Sequence, residues 1–453
     1  MAITAETGIP GRGSFARGIH PDDRKRLSAG AAIEVLPTPS GVLIALHQHI
    51  GAPCEPAVKP RTSVGVGDVV GDVKAFVAAP VHASIDGTTG APTVTTLPNG
   101  RHVAAVPVAA ADEQALAGEA LTGEIFGGEW PTEGLDAHAP EAIVEAVRDA
   151  GLVGLGGAAF PTHVKLTRNP KRPVDTLVVN GCECEPYLTA DHRLMIEHPA
   201  PIVTGALLAA AAAGADRIVV AIEDNKPDAA ASMRRAAEGT AVTVATVRTK
   251  YPMGGERSLL PAVMGREVPT GGLPLDVGVV VVNVGTSAAI ARAVVRGRPL
   301  THRVVSVTGE GVRRPKNLLV PIGAPYADLI ACCDGLTEDA ARAIAGGPMM
   351  GFALADLDVP VTKGTSGVVV MTAEQVRRAE ETACIRCGRC VDVCPLGLVP
   401  TKMALAVRNE DWEVARRYYI AACCECGCCG YICPAQIPLV QLIRTGKAGM
   451  PKE

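Results

Sequence analysis

Cys384-Ile385-Arg386-Cys387-Gly388-Arg389-Cys390-Val391-Asp392-Val393-Cys394-Pro395 is followed later by Cys423-Cys424-Glu425-Cys426-Gly427-Cys428-Cys429-Gly430-Tyr431-Ile432-Cys433-Pro434. Both stretches spell C-x2-C-x2-C-x3-C-P, the bacterial pattern for [4Fe–4S] clusters. Three thiolates on one tight loop can take three corners of a cuboidal cluster. The fourth cysteine, turned away by its proline, ligates the other cluster. This reading groups Cys384, Cys387 and Cys390 with Cys433, and Cys423, Cys426 and Cys429 with Cys394. Zinc sites come instead as two C-x2-C pairs with a long spacer. Disulfides belong to secreted chains, and the N-terminus carries no secretory signal. The chain is therefore expected to move single electrons.

Working outward, 453 residues imply about three domains. Aromatics are only 3% while Gly, Ala and Val abound, so the cores must be built from small and β-branched side chains. A net charge of −4 argues against a polyanionic partner, so nucleic acid is excluded. Beyond the cluster set, Cys54, Cys182, Cys184, Cys332, Cys333, Cys424 and Cys428 read as small hydrophobes. No transmembrane segment is expected. The most apolar stretch, 202–222, is interrupted by Asp216 and Arg217 and reads as a helix followed by a strand. A soluble chain in a reducing compartment follows, free to sit peripherally on a membrane complex.

Short apolar runs at 42–46, 69–73, 75–77 and 103–108, parted by Gly, Pro and Asp, predict an all-β N-terminal module. Val64-Gly65-Val66-Gly67-Asp68-Val69-Val70-Gly71, followed by Ala79-Pro80-Val81-His82, resembles a biotinyl/lipoyl-type sandwich barrel. Such barrels carry a modified lysine on an exposed turn, whereas the turn at 80–82 has none and Lys74 stands earlier, which favours a scaffold or docking role. From 140 to 284 helix and strand alternate: helices at 140–150, 200–214 and 226–238, strands at 175–180, 217–223, 241–247 and 277–284. That is an α/β domain with a largely parallel sheet. Strands at 303–308, 318–321 and 367–371, with a helix at 337–345, predict a small α+β domain. The remainder reads as helical, with one long helix at 401–421 between the cysteine runs. The expected fold is thus multidomain α/β: a barrel-sandwich domain (1–135), an α/β domain (136–297), a β-grasp-like α+β domain (298–373) and a ferredoxin-type domain (374–453).

Gly154-Leu155-Gly156-Gly157-Ala158-Ala159-Phe160-Pro161 contains G-x-G-x-x-A, but a helix rather than a strand precedes it, which argues against a Rossmann fingerprint. Bare backbone still permits close approach of a phosphate or planar ring, and Lys165 adds a positive charge. Asn180-Gly181-Cys182-Glu183-Cys184-Glu185-Pro186-Tyr187 leaves a strand at its C-terminal end, where open α/β sheets bind ligands. Tyr251-Pro252-Met253-Gly254-Gly255-Glu256-Arg257 and Asn283-Val284-Gly285-Thr286 leave the same domain. Four such loops imply one cofactor cleft.

These loops, with Gly265-Arg266-Glu267-Val268-Pro269 and the paired cysteine runs, resemble the RnfC family. Its members are NADH dehydrogenase subunits of Rnf electron-transport complexes, with an α/β core similar to the flavoprotein subunit of respiratory complex I. The resemblance covers nearly the whole chain and implies FMN, NADH and two [4Fe–4S] clusters. It implies that Gly154, Gly156, Gly157 and Lys165 line the FMN phosphate and NADH edge. Asn180, Glu183 and Glu185 would contact the isoalloxazine and ribityl side, with Glu185 near the nicotinamide. Tyr251, Gly254, Glu256, Asn283 and Thr286 would close the pocket, and Phe160 would stack on the adenine of NADH. No side chain is assigned as a catalytic acid, base or nucleophile. The sequence departs from the complex I pattern at Cys182 and Gly255, where acidic residues are expected. The implied partners are the iron–sulfur and membrane subunits of the complex and, indirectly, ferredoxin; the implied seat is peripheral, on the cytoplasmic face of the cell membrane. A soluble flavin/iron–sulfur reductase of cobalamin or another small cofactor is the competing function, and a non-enzymatic electron relay a third.

Overall fold

Four nearly all-apolar strands, Thr176–Gly181, Arg217–Glu223, Val242–Val247 and Val279–Asn283, form a parallel sheet in the computed structural model, which describes residues 11–376 and 380–451. Their Val- and Ile-rich sequences suit strands covered on both faces. The chain steps outward through the first three strands, then returns to lay Val279–Asn283 on the other flank of Thr176–Gly181. Strand order therefore reverses between those two, and Asn180 pairs in register with Asn283. A reversal of this kind opens a crevice at the strands' C-terminal ends.

One face is covered by the helices Pro140–Asp149, Pro199–Ala213 and Val284–Arg296, the other by Glu256–Met264. Pro199–Ala213 is so rich in alanine that it packs almost backbone to backbone on Val284–Arg296. A methyl group at Gly205 would collide with the Ser287 carbonyl. Among the described residues no single helix is long and apolar enough to cross a membrane. Ala190–Glu197 and Pro199–Ala213 pass that test only together, with a 97° bend. The 202–222 stretch is a helix and then a strand, as expected.

The N-terminal module packs two small antiparallel sheets around Val42, Ile44, Leu46, Val70, Val81, Ile85, Val106 and Val108. Residues 75–77 form no strand, and Phe76 there is exposed. The turn expected at 80–82 is instead Pro80, half-buried, leading into a buried strand, Val81–His82. Lys363 from the third module donates from Nζ to Pro80 O (2.5 Å) and Gly151 O (2.7 Å), locking three modules together. No swinging arm could project from a turn sealed in this way. The strand Ile33–Val35 leaves the barrel and pairs parallel with Lys316–Pro321.

That pairing makes the α+β module a six-stranded sheet. The helix expected at 337–345 is replaced by a strand, Ala340–Ala345, antiparallel to Gly367–Thr372; the module's helix is Tyr326–Cys332. Alanine favours a helix locally, but an open sheet edge and the core beneath it decide the outcome. The long helix expected at 401–421 is also broken. Pro400–Arg408 stops at Asn409, Glu410 turns left-handed (φ 55°), and Asp411 caps Trp412–Arg417 by accepting from Val414 N (3.1 Å). An aspartate cap inside the pattern was the available signal.

Candidate cofactor cleft and cysteine loops

Asn180 and Asn283 form the floor of the crevice and hold its two lips. Asn180 donates from Nδ2 to Gly254 O (2.8 Å) and accepts from Cys182 N (3.1 Å), fixing the 251–256 loop against the 181–187 loop. Asn283 caps the helix Val284–Arg296 by accepting from Gly285 N (2.8 Å) and Thr286 N (3.3 Å). Its Nδ2 donates to Asp191 Oδ2 (2.6 Å).

The glycine loop closes on itself through Gly154 N to Phe160 O (2.9 Å) and Ala159 N to Gly154 O (3.1 Å). It is pinned at Leu155, whose N–H donates to Thr286 Oγ1 (2.9 Å) and whose carbonyl accepts from Arg303 Nη2 (3.2 Å). Gly156 and Gly157 stay exposed. Gly156 faces Asn283: a β-carbon there would lie 3.5 Å from Asn283 Cβ. Gly157 has φ +107° and open space where a side chain would point, and Phe160 is half-buried at the loop's base. Lys165, on the short helix Thr162–Leu166, pairs with Glu256 Oε1 (3.0 Å) and reaches Val281 O (3.2 Å). The expected residues from Gly154 to Lys165 thus share one rim with Asn283, Thr286 and Glu256.

The two glutamates of the 181–187 loop are engaged differently. Glu183, in a left-handed conformation (φ 45°), accepts from Asp191 N (2.8 Å) and His192 N (3.2 Å) at the start of the helix Ala190–Glu197. Its charge faces the positive end of that helix. Burial, then the nearby Glu183, pushes the Asp191 carboxyl well above the usual range. Glu185 accepts from Met349 N (3.1 Å) and Met350 N (2.8 Å), so it holds a loop of the α+β module over the cleft. Gly347 is required there, because any β-carbon would overlap the Glu185 carboxylate. Burial pushes Glu185 up to about 7, the two N–H donors opposing the rise. Beneath both, Lys25 donates from Nζ to the carbonyls of Glu183 (2.8 Å), Glu185 (3.0 Å) and Leu188 (2.6 Å). Lys25, Arg303 and Asp191 were not anticipated; their partners are backbone groups or residues remote in sequence, which leave no local pattern.

Tyr251 is buried, donates from Oη to Cys426 O (2.7 Å), and lies 3.5 Å from Glu185 Oε1. Gly254 N donates to Cys184 Sγ (3.2 Å). Burial lifts the Cys184 thiol to about 12 and raises Cys182 strongly, so neither is a reactive thiolate.

The cysteine loops repeat one backbone path. Left-handed residues recur at Arg386 and Glu425, at Gly388 and Gly427, and at Gly397 and Gln436, matched positions of the two runs. Short helices, Arg389–Asp392 and Cys428–Ile432, follow Gly388 and Gly427. Among the described residues no three thiols stand as a ready-made ligand set. The fold nonetheless brings the runs together. Burial raises Cys429 to about 12, followed by the sulfurs of Cys423, Cys394 and Cys390. Cys394 is thus a neighbour of the second run. Cys390, Cys429 and Cys433 share one apolar core with Met403, Leu439 and Ile443, and Cys384 and Cys423 pack against it. Thiols alone, on two like loops, suit iron–sulfur clusters. A rim of exposed glycines beside Asn283 suits a flavin nucleotide.

Comparison with known families gives four matches in chain order. The RnfC barrel sandwich hybrid domain matches residues 13–114 and the Nuo51 FMN-binding domain residues 147–292. The SLBB domain matches residues 304–353 and the 4Fe-4S dicluster domain residues 383–438. A subunit of the proton-translocating ferredoxin:NAD(+) oxidoreductase complex of Clostridium ljungdahlii is 41% identical over 412 residues, covering 90% of this chain and 87% of that protein. The chain belongs to the RnfC family. Two further RnfC relatives agree, one from the Na(+)-translocating ferredoxin:NAD(+) oxidoreductase complex of Acetobacterium woodii (41% identity, 88% of this chain, 89% of that protein) and one from the ion-translocating oxidoreductase complex of Rhodobacter capsulatus (42%, 96% and 82%). The expected architecture of barrel-sandwich, flavin, β-grasp-like and ferredoxin-type modules is that of RnfC. Within it, residues 147–292 contain every cleft residue named from the sequence, and residues 383–438 contain both cysteine runs.

Proposed function

We infer that this chain is the NADH-oxidising subunit of an Rnf-type complex, which passes electrons toward ferredoxin while partner subunits translocate the coupling ion. The observation that carries this is the join between a cleft at the strand-order reversal and a cysteine run, made by Tyr251 and Cys426. Bound FMN would supply the conversion of a hydride's two electrons into single electrons, and two [4Fe–4S] clusters would carry them away. Gly154, Gly156 and Gly157 leave room at the rim for phosphate and ring, and Lys165 supplies positive charge. Asn180, Asn283 and Thr286 set the spacing of the lips. Glu183 fixes the helix beside the cleft, Glu185 and the 347–350 loop cover it on the nicotinamide side, Tyr251 and Gly254 close the far wall, and Glu256 closes the glycine rim by pairing with Lys165. Phe160 would stack on the adenine of NADH. The clusters are held by Cys384, Cys387, Cys390 and Cys433, and by Cys423, Cys426, Cys429 and Cys394.

The iron–sulfur and membrane subunits are the partners. With no membrane-crossing helix among the described residues, the seat is peripheral, on the cytoplasmic face of the cell membrane where NADH is available. The test uses protein isolated from membranes with its partners. NADH should bleach a bound flavin, and this chain, once separated from its partners without loss of clusters, should carry about eight iron atoms. Flavin that stays oxidised with NADH, or isolation with no membrane partners, refutes the reading.

A further inference from the structure

The two cysteine runs follow the same backbone path yet sit in different surroundings. Cys426 and Cys428 lie in a dry cluster with Tyr251 and Ile19, against which Cys184, Met349 and Val393 pack. This patch touches the cleft on one side through Cys184, which accepts from Gly254 N, and through Tyr251, which faces Glu185. On the other side it touches the second run through the bond from Tyr251 Oη to Cys426 O (2.7 Å). The 347–350 loop backs the same seam. Gly427 packs so closely on the Met349 carbonyl that a β-carbon would come within 2.6 Å of its oxygen, and Arg444 donates to Met350 O (2.8 Å). The first run is far more open. Residues 381–383 and 385–389 are largely exposed, with Ile385 67% exposed, and Arg17 Nη1 from the N-terminal segment donates to Val391 O (3.1 Å).

We propose that Tyr251 is a positioning residue that ties the second cysteine run to the flavin cleft by its hydroxyl bond to Cys426, leaving the exposed 385–389 loop of the first run as the outward electron exit. The proposal rests on the functional reading above. Each NADH loses a hydride and becomes NAD+. The two electrons leave the cleft singly, reducing the second-run cluster and then the first-run cluster, and the proton goes to solvent. An external one-electron acceptor, an iron–sulfur protein, reoxidises the pair. Packing that excludes water acts on cluster potential, and the Tyr251 hydroxyl fixes the backbone of the ligating Cys426 through its carbonyl. The Tyr251 hydroxyl therefore favours the second-run cluster as first acceptor.

Three variants of the full chain test this, read by iron content and by the electron paramagnetic resonance signal of the reduced clusters. Cys387→Ser should lose about half its iron and still show a reduced-cluster signal with NADH. Cys426→Ser should lose a similar share, show a signal with dithionite, and show none with NADH. The reverse pattern, or equal reduction of both variants by NADH, overturns the proposal. Tyr251→Phe keeps the ring and removes only the hydroxyl. Normalised to bound flavin and iron, cluster reduction after flavin bleaching should slow about tenfold and the second-run midpoint potential should fall. An unchanged rate and potential in Tyr251→Phe also overturn it. Failure of NADH to bleach the parent's flavin would strike the functional reading instead.

Discussion

Asn180 and Asn283 stand opposite one another at the ends of adjacent parallel strands, and each secures a different lip of the crevice. Two residues of one chemical type, placed by strand register alone, set the width of the site.

Replacing Asn283 with Ala removes the helix cap and leaves the half-buried Asp191 without its amide donor. A lost cap costs about 1 kcal/mol and an abandoned half-buried partner about as much again. Thermal unfolding of Asn283→Ala should show a loss of about 2 kcal/mol together with weaker FMN retention. Asn283→Ser, which can still cap, should recover part of the stability.

Gly157 tests the rim without touching the core. Its φ of +107° strains any L side chain, and the space beyond it is open. Gly157→Val should cost about 1–2 kcal/mol of stability and lower FMN affinity at least about tenfold in a fluorescence titration. A variant that binds FMN normally would remove this loop from the site.

Lys363 gives a pH signature. Burial lowers its pKa to about 7, against 10.5 for a free lysine, and a neutral amine has two protons to offer the carbonyls of Pro80 and Gly151. Between those values the unfolded chain binds the extra proton, so the Lys363 contribution to stability rises with pH from about 7 to 10.5 and is least favourable below 7. Lys363→Met should therefore be more destabilising at pH 9 than at pH 6 in denaturant titrations; equal losses at both would refute the shift.

Stripping iron with a chelator under reducing conditions should loosen the last module selectively. Its apolar core includes Cys390, Cys429 and Cys433, so clusters held by these cysteines would help to fill it. Limited proteolysis should then cut near residues 381–389, while the parallel sheet keeps its hydrogen-exchange protection.

What could be read from the chain alone follows from how local each signal is. Ligand spacing in the cysteine runs is a property of twelve consecutive residues, so it survives without knowledge of the fold. The parallel sheet announced itself through strands such as Val279–Asn283, apolar on both faces. Ala340–Ala345 misled because its partner, Gly367–Thr372, lies beyond a long loop and supplies the pairing that alanine does not prefer. At the site, the glycine rim and the two asparagines were visible as loop chemistry. Lys25 was not, since its Nζ binds carbonyls some 160 positions away. Glu185 was expected at the cleft, but its grip on Met349 and Met350 depends on how two modules dock.

In the N-terminal segment, Gly13 bonds to Ala262 O, Ile19 pairs with Tyr251, and Gly18 N reaches Val393 O inside the first cysteine run. Segments remote in sequence thus close on one another. The seam can form only when the 251 loop and the cysteine loops are both in place, so cleft and clusters are aligned by the docking of modules and by neither module alone.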